Sequence, residues 1–267
     1  MKMTDYSKKD INQNPDKLVQ KWYDAHCHFS NIAEQYNLDE LLTEARKKGI
    51  SGWLSNALSK EEVHWHIQNP VEGMKFSAGI HPVYDAGTPL SINDVETLCR
   101  EQKIFAIGEI GLDKNKRNRD EQVKNLMNQL ELARTYDLPC IFHVVGHYDI
   151  FYKILKEIPV RGIWHGFYAP VDIVKQFSEF DLTFSMGNVL IHSLKHEIVN
   201  AIISYGNYLI ETDAPYNLGK KELQEVTDQN PLIKLLVLNN MVCRMNGVKI
   251  ESLNHDLLRN IRQYIRT

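Results

Sequence analysis

Short runs of apolar, β-branched and aromatic residues alternate along the chain with longer stretches whose apolar positions recur at helical spacing. The runs predict strands near 21–28, 51–57, 75–81, 104–112, 139–145, 161–167, 182–189 and 208–213. Between and after them, helices are expected near 38–48, 60–68, 91–102, 119–136, 149–158, 171–180, 194–204 and 231–245. In the fourth, Val123, Leu126, Leu130 and Ala133 share one face. The eighth opens on Asn230-Pro231, a capping residue followed by proline in the first turn. A last helix near 251–265 is expected to pack outside the others. A strand followed by a helix eight times over implies parallel pairing through right-handed crossovers. The expected fold class is therefore α/β, a TIM (β/α)8 barrel, although an open doubly wound sheet fits the same alternation.

Ionisable residues interrupt these apolar runs at one place in each unit. Asp24, His26 and His28 fall at the end of the first strand, Glu109 near the end of the fourth, His143 in the fifth, His165 in the sixth and Asp213 in the eighth. Charge inside an apolar strand is costly unless it is paired or binds metal. In a parallel barrel all the strand C-termini share one face, where active sites lie. His26 and His28, two apart on a strand, project to the same side. Imidazole mixed with carboxylate suits a site for one or two divalent ions (Zn, Mn, Mg or a similar metal), without choosing between them. Glu109 is expected to supply a bidentate or bridging carboxylate, His143 and His165 to serve a second ion, and Asp213 to bind the first while holding the attacking water; Glu109 and Asp213 are the expected catalytic carboxylates. Asp113 is expected only to fix the loop that follows it.

Composition narrows the class. At 267 residues and 43% hydrophobic content the chain can bury one full barrel core, expected over 21–267. A net charge of −3 and a pI near 6.4 argue against a broad basic face for gripping nucleic acid. Residues 1–20 are polar, have no apolar signal core and are expected to form a flexible N-terminal tail. No run reaches transmembrane length, and Cys27, Cys99, Cys140 and Cys243 form no CxxC pair. A cytoplasmic protein without a membrane partner is the expectation. The acidic balance leaves a local basic rim as the route to a polyanion. Lys114, Lys116, Arg117 and Arg119 follow the fourth strand, and Lys220 and Lys221 follow the eighth.

The segments YDAHCHF (23–29), AGIHP (78–82), AIGEIGLD (106–113), IFH (141–143), WHGF (164–167) and IETDAPY (210–216) together resemble the TatD-type metal-dependent deoxyribonucleases, a family of amidohydrolase-like TIM barrels. The resemblance runs from about residue 22 to the C-terminus. It implies that His26, His28 and Asp213 hold one ion, that His143 and His165 hold a second, and that Glu109 bridges them. It also implies that His81 binds the substrate phosphate, and that Asp24 and Glu211 orient ligands from behind, unless they make ordinary strand-end hydrogen bonds. Gln122 matches a family glutamine to which only a structural role is given.

The implied activity is phosphodiester hydrolysis of single-stranded DNA or a related substrate, with Lys116 and Arg117 as further substrate contacts. Departures from the family concern the substrate. Val145 stands where an arginine is common, with His147 two residues further on. Gly166 replaces a cysteine, and Tyr168-Ala169 replaces a polar-glycine turn. A hydrolase of a small ester, lactone, amide or phosphoester on the same site therefore stays open. So does a metal-binding barrel with a scaffolding role, against which the full ligand set argues.

Overall fold

The computed structural model describes residues 20–116, 118–187, 190, 196–216 and 230–265. Eight strands form one sheet in the order of the chain, every neighbouring pair parallel. They are β1 (Trp22–Cys27), β2 (Ile50–Ala57), β3 (Met74–Ala78), β4 (Ala106–Asp113), β5 (Cys140–Val145), β6 (Gly162–Trp164), β7 (Leu182–Met186) and β8 (Tyr208–Ile210). The helices are α1 (Phe29–Gln35), α2 (Leu38–Lys47), α3 (Lys60–Gln68), α4 (Ile92–Arg100), α5 (Arg119–Tyr136), α6 (Tyr148–Glu157), α7 (Val171–Phe177), α8 (His196–Tyr205), α9 (Lys234–Asn246) and α10 (Ile250–Ile265).

The circle closes where β8 returns to β1. A parallel bridge joins Cys27 to Ala214. The Asp213 N–H donates to the His26 carbonyl at 2.9 Å, and the His28 N–H to the Ala214 carbonyl at 2.8 Å. Closure excludes the open doubly wound alternative. The fully buried Asp24 carboxylate reinforces the seam, accepting from the Thr212 N–H at 2.9 Å and from the Thr212 hydroxyl. Behind it the buried Lys234 Nζ donates to the Thr212 carbonyl at 2.7 Å.

Strand existence and order follow the sequence pattern, because strands buried on both faces read as continuous apolar runs. Several ends differ. β3 stops at Ala78 and β8 at Ile210, so His81 and Asp213 stand on the loops beyond rather than on the strands. Helix α1 was not expected: at seven residues it is too short for a helical period to register, and its first four are buried. The Asn230 side chain accepts from the Leu232 N–H at 3.1 Å, and the Pro231–Ile233 turn that follows is 3-10 before α9 begins. Helix α10 lies against the strand starts. Its Asn260 donates to the Tyr208 carbonyl at 2.9 Å, and its fully buried Tyr264 to the Gly162 carbonyl at 3.0 Å. All four cysteines are free thiols. Most of the expected N-terminal tail, 1–19, lies outside the described residues, as do Arg117, Lys220 and Lys221.

Candidate metal centre

Two irregularities in the ladders aim the site. Between Asp24 and Cys27, β1 advances three residues while β2 advances two; between Gly108 and Ile110, β4 advances two while β5 advances one. Such bulges re-aim a side chain that a regular pleat would send elsewhere. They fall at His26 and Glu109, the two residues the site most needs turned inward.

Glu109 is the hub. Its Oε1 lies 3.4 Å from His26 Nε2 and 3.5 Å from His28 Nε2. Its Oε2 lies 2.8 Å from His165 Nε2, 3.6 Å from His81 Nε2 and 3.7 Å from His143 Nδ1. Each oxygen thus serves a different group of histidines, which is what a bridging carboxylate requires. Asp213 Oδ1 completes the first group, 3.7 Å from His26 Nε2 and 3.5 Å from His28 Nε2. Its backbone is left-handed, at φ 54°, a conformation that Asp tolerates better than most residues.

The centre is crowded with polar groups that lack partners. His26 Nε2 and Glu109 Oε1 are buried without a hydrogen bond. Stranding such atoms is expensive unless something else satisfies them. His26, His28 and Asp213 can place one donor atom each within 4.8 Å of one another, so this set fits a divalent cation. Electrostatics agree. Burial pushes the Glu109 carboxyl up, but the neighbouring His165 and His26 overcome this and hold it well below the usual range. Burial lowers His165, yet Glu109 and Glu211 beside it hold the imidazolium well above its ordinary pKa. Burial likewise pushes Asp213 up, and His28 and His26 bring it down. Imidazole binds a metal only in its neutral form, so metal uptake at these histidines should release any proton they carry.

His81 also comes within ligating distance of Glu109 and His143. Its Nδ1, however, accepts from the Val83 N–H at 3.1 Å and the Tyr84 N–H at 2.9 Å. That places the ring proton on Nε2, which makes His81 a hydrogen-bond donor facing the centre rather than a ligand.

The residues behind the site differ in part from expectation. Asp24 holds the barrel seam through Thr212 and accepts from the His26 backbone N–H at 3.3 Å, so of its two expected roles it takes the strand-end one. Glu211 Oε1 accepts from the Gly166 N–H at 2.6 Å and lies 3.7 Å from His165 Nδ1. Gln122 clamps Asp113 at both backbone groups, its Oε1 accepting from the N–H at 2.8 Å and its Nε2 donating to the carbonyl at 3.2 Å. Asp113 does fix its loop, accepting from the Asn115 N–H at 2.7 Å, but its other oxygen lies 3.2 Å from His143 Nε2. Sequence reading overlooked Asn56, whose amide lies 3.1 Å from His26 Nδ1, and Lys234 behind Thr212. The signal for Lys234 was present, a lone charge in the apolar run PLIKLLVL.

The expected basic rim is weaker than its composition. Lys116 pairs with Asp85 at 3.3 Å, and Arg119 with the adjacent Asp120 at 3.2 Å. His147, considered as a stand-in for the family arginine, is the N-cap of α6 with a left-handed backbone.

A family model described as TatD related DNase matches residues 23–266. A protein of Danio rerio named "Putative deoxyribonuclease tatdn3" is 26% identical over 216 residues, covering 74% of this chain and 81% of that one. The crystal structure of YjjV, a TatD homologue from Escherichia coli K12, superposes with a TM-score of 0.77 at 22% identity, over 94% of this chain and 100% of the other. A TatD-family hydrolase from Entamoeba histolytica superposes with a TM-score of 0.74 at 17% identity, again over 94% and 100%. At these identities the two structures speak to the fold.

Proposed function

Since this chain belongs to the TatD related DNase family and is a metal-dependent hydrolase, we propose that it is a deoxyribonuclease cleaving phosphodiester bonds of single-stranded DNA. The observation that carries the reading is Glu109, one carboxylate whose two oxygens face separate histidine groups. His26, His28 and Asp213 would hold one divalent ion and His143 and His165 a second, with Glu109 between them. When bound, such ions polarise phosphoryl oxygens and make water nucleophilic near neutral pH. The chain's own residues supply the rest. Asp213, held ionised by His28 and His26, orients the attacking water and takes its proton. His81 donates its Nε2 proton to a non-bridging oxygen as charge accumulates there. Tyr216, 42% exposed and edge-on to the His28 ring at 5.1 Å, and Tyr168, 48% exposed three residues after His165, offer aromatic faces on which unpaired bases can stack.

The reading assigns the whole activity to one barrel over 21–267 and its location to the cytoplasm. Among the described residues, no helix is long and apolar enough to cross a membrane. A second reading, hydrolysis of a small ester or phosphoester on the same site, is favoured by Val145 at the arginine position and by the Asp85 partner of Lys116. The two separate on metal-loaded enzyme given an end-labelled single strand, the matching duplex and a panel of small esters. Preferential cleavage of the single strand is expected. Hydrolysis of the esters with both nucleic acids left intact would install the second reading.

A further inference from the structure

On β4 the residues Glu109, Gly111 and Asp113 alternate with a period of two, so the strand that delivers the bridging carboxylate delivers another two positions past the glycine. Gly111 pairs with His143 across the β4–β5 ladder, and a Cβ there would collide with the His143 carbonyl. The close approach of the two strands brings Asp113 beside the His143 ring. Asp113 is buried, and three contacts fix it. Gln122, itself buried, holds its backbone N–H and carbonyl, and the Asn115 N–H holds Oδ1. The remaining oxygen, Oδ2, faces His143 Nε2 at 3.2 Å.

A carboxylate offers only lone pairs, so its imidazole partner must present an N–H. With the proton on Nε2, the lone pair of a neutral His143 ring sits on Nδ1. That atom points into the centre, 3.2 Å from His165 Nε2 and 3.7 Å from Glu109 Oε2. His165 presents the opposite nitrogen, with Nε2 inward and Nδ1 turned toward Glu211. We propose that Asp113, braced by Gln122, is a positioning residue that selects Nδ1 of His143 as the metal-donating atom. The proposal rests on reading His143 as a ligand and does not depend on the substrate being DNA.

Outer carboxylates of this kind raise metal affinity by about 10–100-fold. Removing this one should therefore weaken the ion on the β5–β6 side alone. Titrating apo-protein with Zn2+ against a chromophoric chelator should show two equivalents for the wild type. For Asp113→Ala, one equivalent should stay tight and the other weaken by about 10–100-fold. Gln122→Met, which loosens Asp113 without touching its carboxylate, should give a smaller loss at the same equivalent. The second measurement needs no variant: 15N NMR of the histidine rings in apo-protein should find the neutral tautomer of His143 with its proton on Nε2. A proton on Nδ1 in the wild type overturns the proposal, and so does unchanged affinity in a folded Asp113→Ala protein. His143→Ala keeps the two levels apart, because unaltered binding of both equivalents would remove His143 from the ligand set whatever Asp113 does.

Discussion

On the β1–β8 side of Glu109, the proposed ligands are bonded into the barrel through their own backbones. Asp213 N–H reaches the His26 carbonyl, His28 N–H reaches Ala214, and the Asp24–Thr212–Lys234 chain backs the seam. On the β5–β6 side, the two histidines are also held by backbone, His143 in the β4–β5 ladder and His165 through its N–H to the Phe142 carbonyl at 3.1 Å, but inside the continuous sheet rather than at its seam. Carboxylates stand behind their rings, Asp113 behind His143 and Glu211 beside His165, and a fifth of the His143 side chain is exposed (20%). The same barrel thus carries one half-site that is part of its closure and another that lies within strands already paired on both sides. Damage to the first should register in stability as well as chemistry, and damage to the second in chemistry alone.

The largest effect is expected where the halves meet. Glu109→Gln should deplete metal on both sides and reduce hydrolysis by about a thousandfold or more, several kcal/mol of lost transition-state stabilisation. Metal analysis and kcat on the purified variant check this, and loss of one equivalent only would show that Glu109 does not bridge.

Next comes a pair of variants that tests the asymmetry itself. Asp24→Ala strands the Thr212 N–H and hydroxyl in the seam, at about 1–3 kcal/mol for each unsatisfied group. At roughly 2–4 °C per kcal/mol for a chain of this size, the melting temperature should fall by several degrees. His143→Ala should leave circular dichroism and melting temperature nearly unchanged while activity drops by more than the about 10–100-fold that losing only a ligand's outer partner costs. Equal destabilisation of the two would erase the distinction.

A smaller effect should appear in the pH dependence of the β1 side. His66 Nε2 contacts Ser55 Oγ at 2.8 Å, and Ser55 Oγ accepts from the N–H of Phe29, the residue after His28. Burial lowers the His66 pKa from 6.5 to about 4. Between those values the unfolded chain takes up a proton that the folded one refuses. Stability should therefore fall as pH drops through that window, by roughly 3 kcal/mol at most. Denaturant titrations should show this slope in the wild type and a flatter one in His66→Gln.

The smallest effect is expected at the rim. With Asp85 as its partner, Lys116 has little charge to spare, so Lys116→Ala should change the slope of log KM against log salt on single-stranded DNA by less than about 0.7, the value of one full phosphate contact. A larger change would return the rim to the substrate site.

These contrasts also mark what the chain's pattern could reveal. The eight strands and four of the five histidines facing Glu109 were legible, since alternation and strand-end charge are properties of short windows; the fifth, His81, was named only through the family resemblance. What was hidden depends on partners far apart in sequence. Nothing near Lys116 announces Asp85, 31 residues away, and nothing near Asp113 announces His143, 30 away. The bulges at His26 and Glu109 were equally invisible, because a one-residue slip against a neighbouring strand leaves the apolar pattern of either strand unchanged. The GEIGLD segment did hold one unused clue. Its period of two puts Glu109 and Asp113 on one face, which contradicts a loop-only role for the latter.

The seam between β1 and β8 sets an order of events during synthesis. Asp24 and Thr212 are 188 residues apart. A growing chain makes His26 and His28 long before Asp213 and the strand against which they are fixed, since Asp213 follows them by 187 and 185 residues. Contacts of such long separation form late, after local units have collapsed. The histidine pair therefore waits through the synthesis of at least 185 further residues for its carboxylate partner, and a product that stops short of Asp213 never acquires one. Under the proposed ligand set, filling that half-site would report that synthesis has passed Asp213.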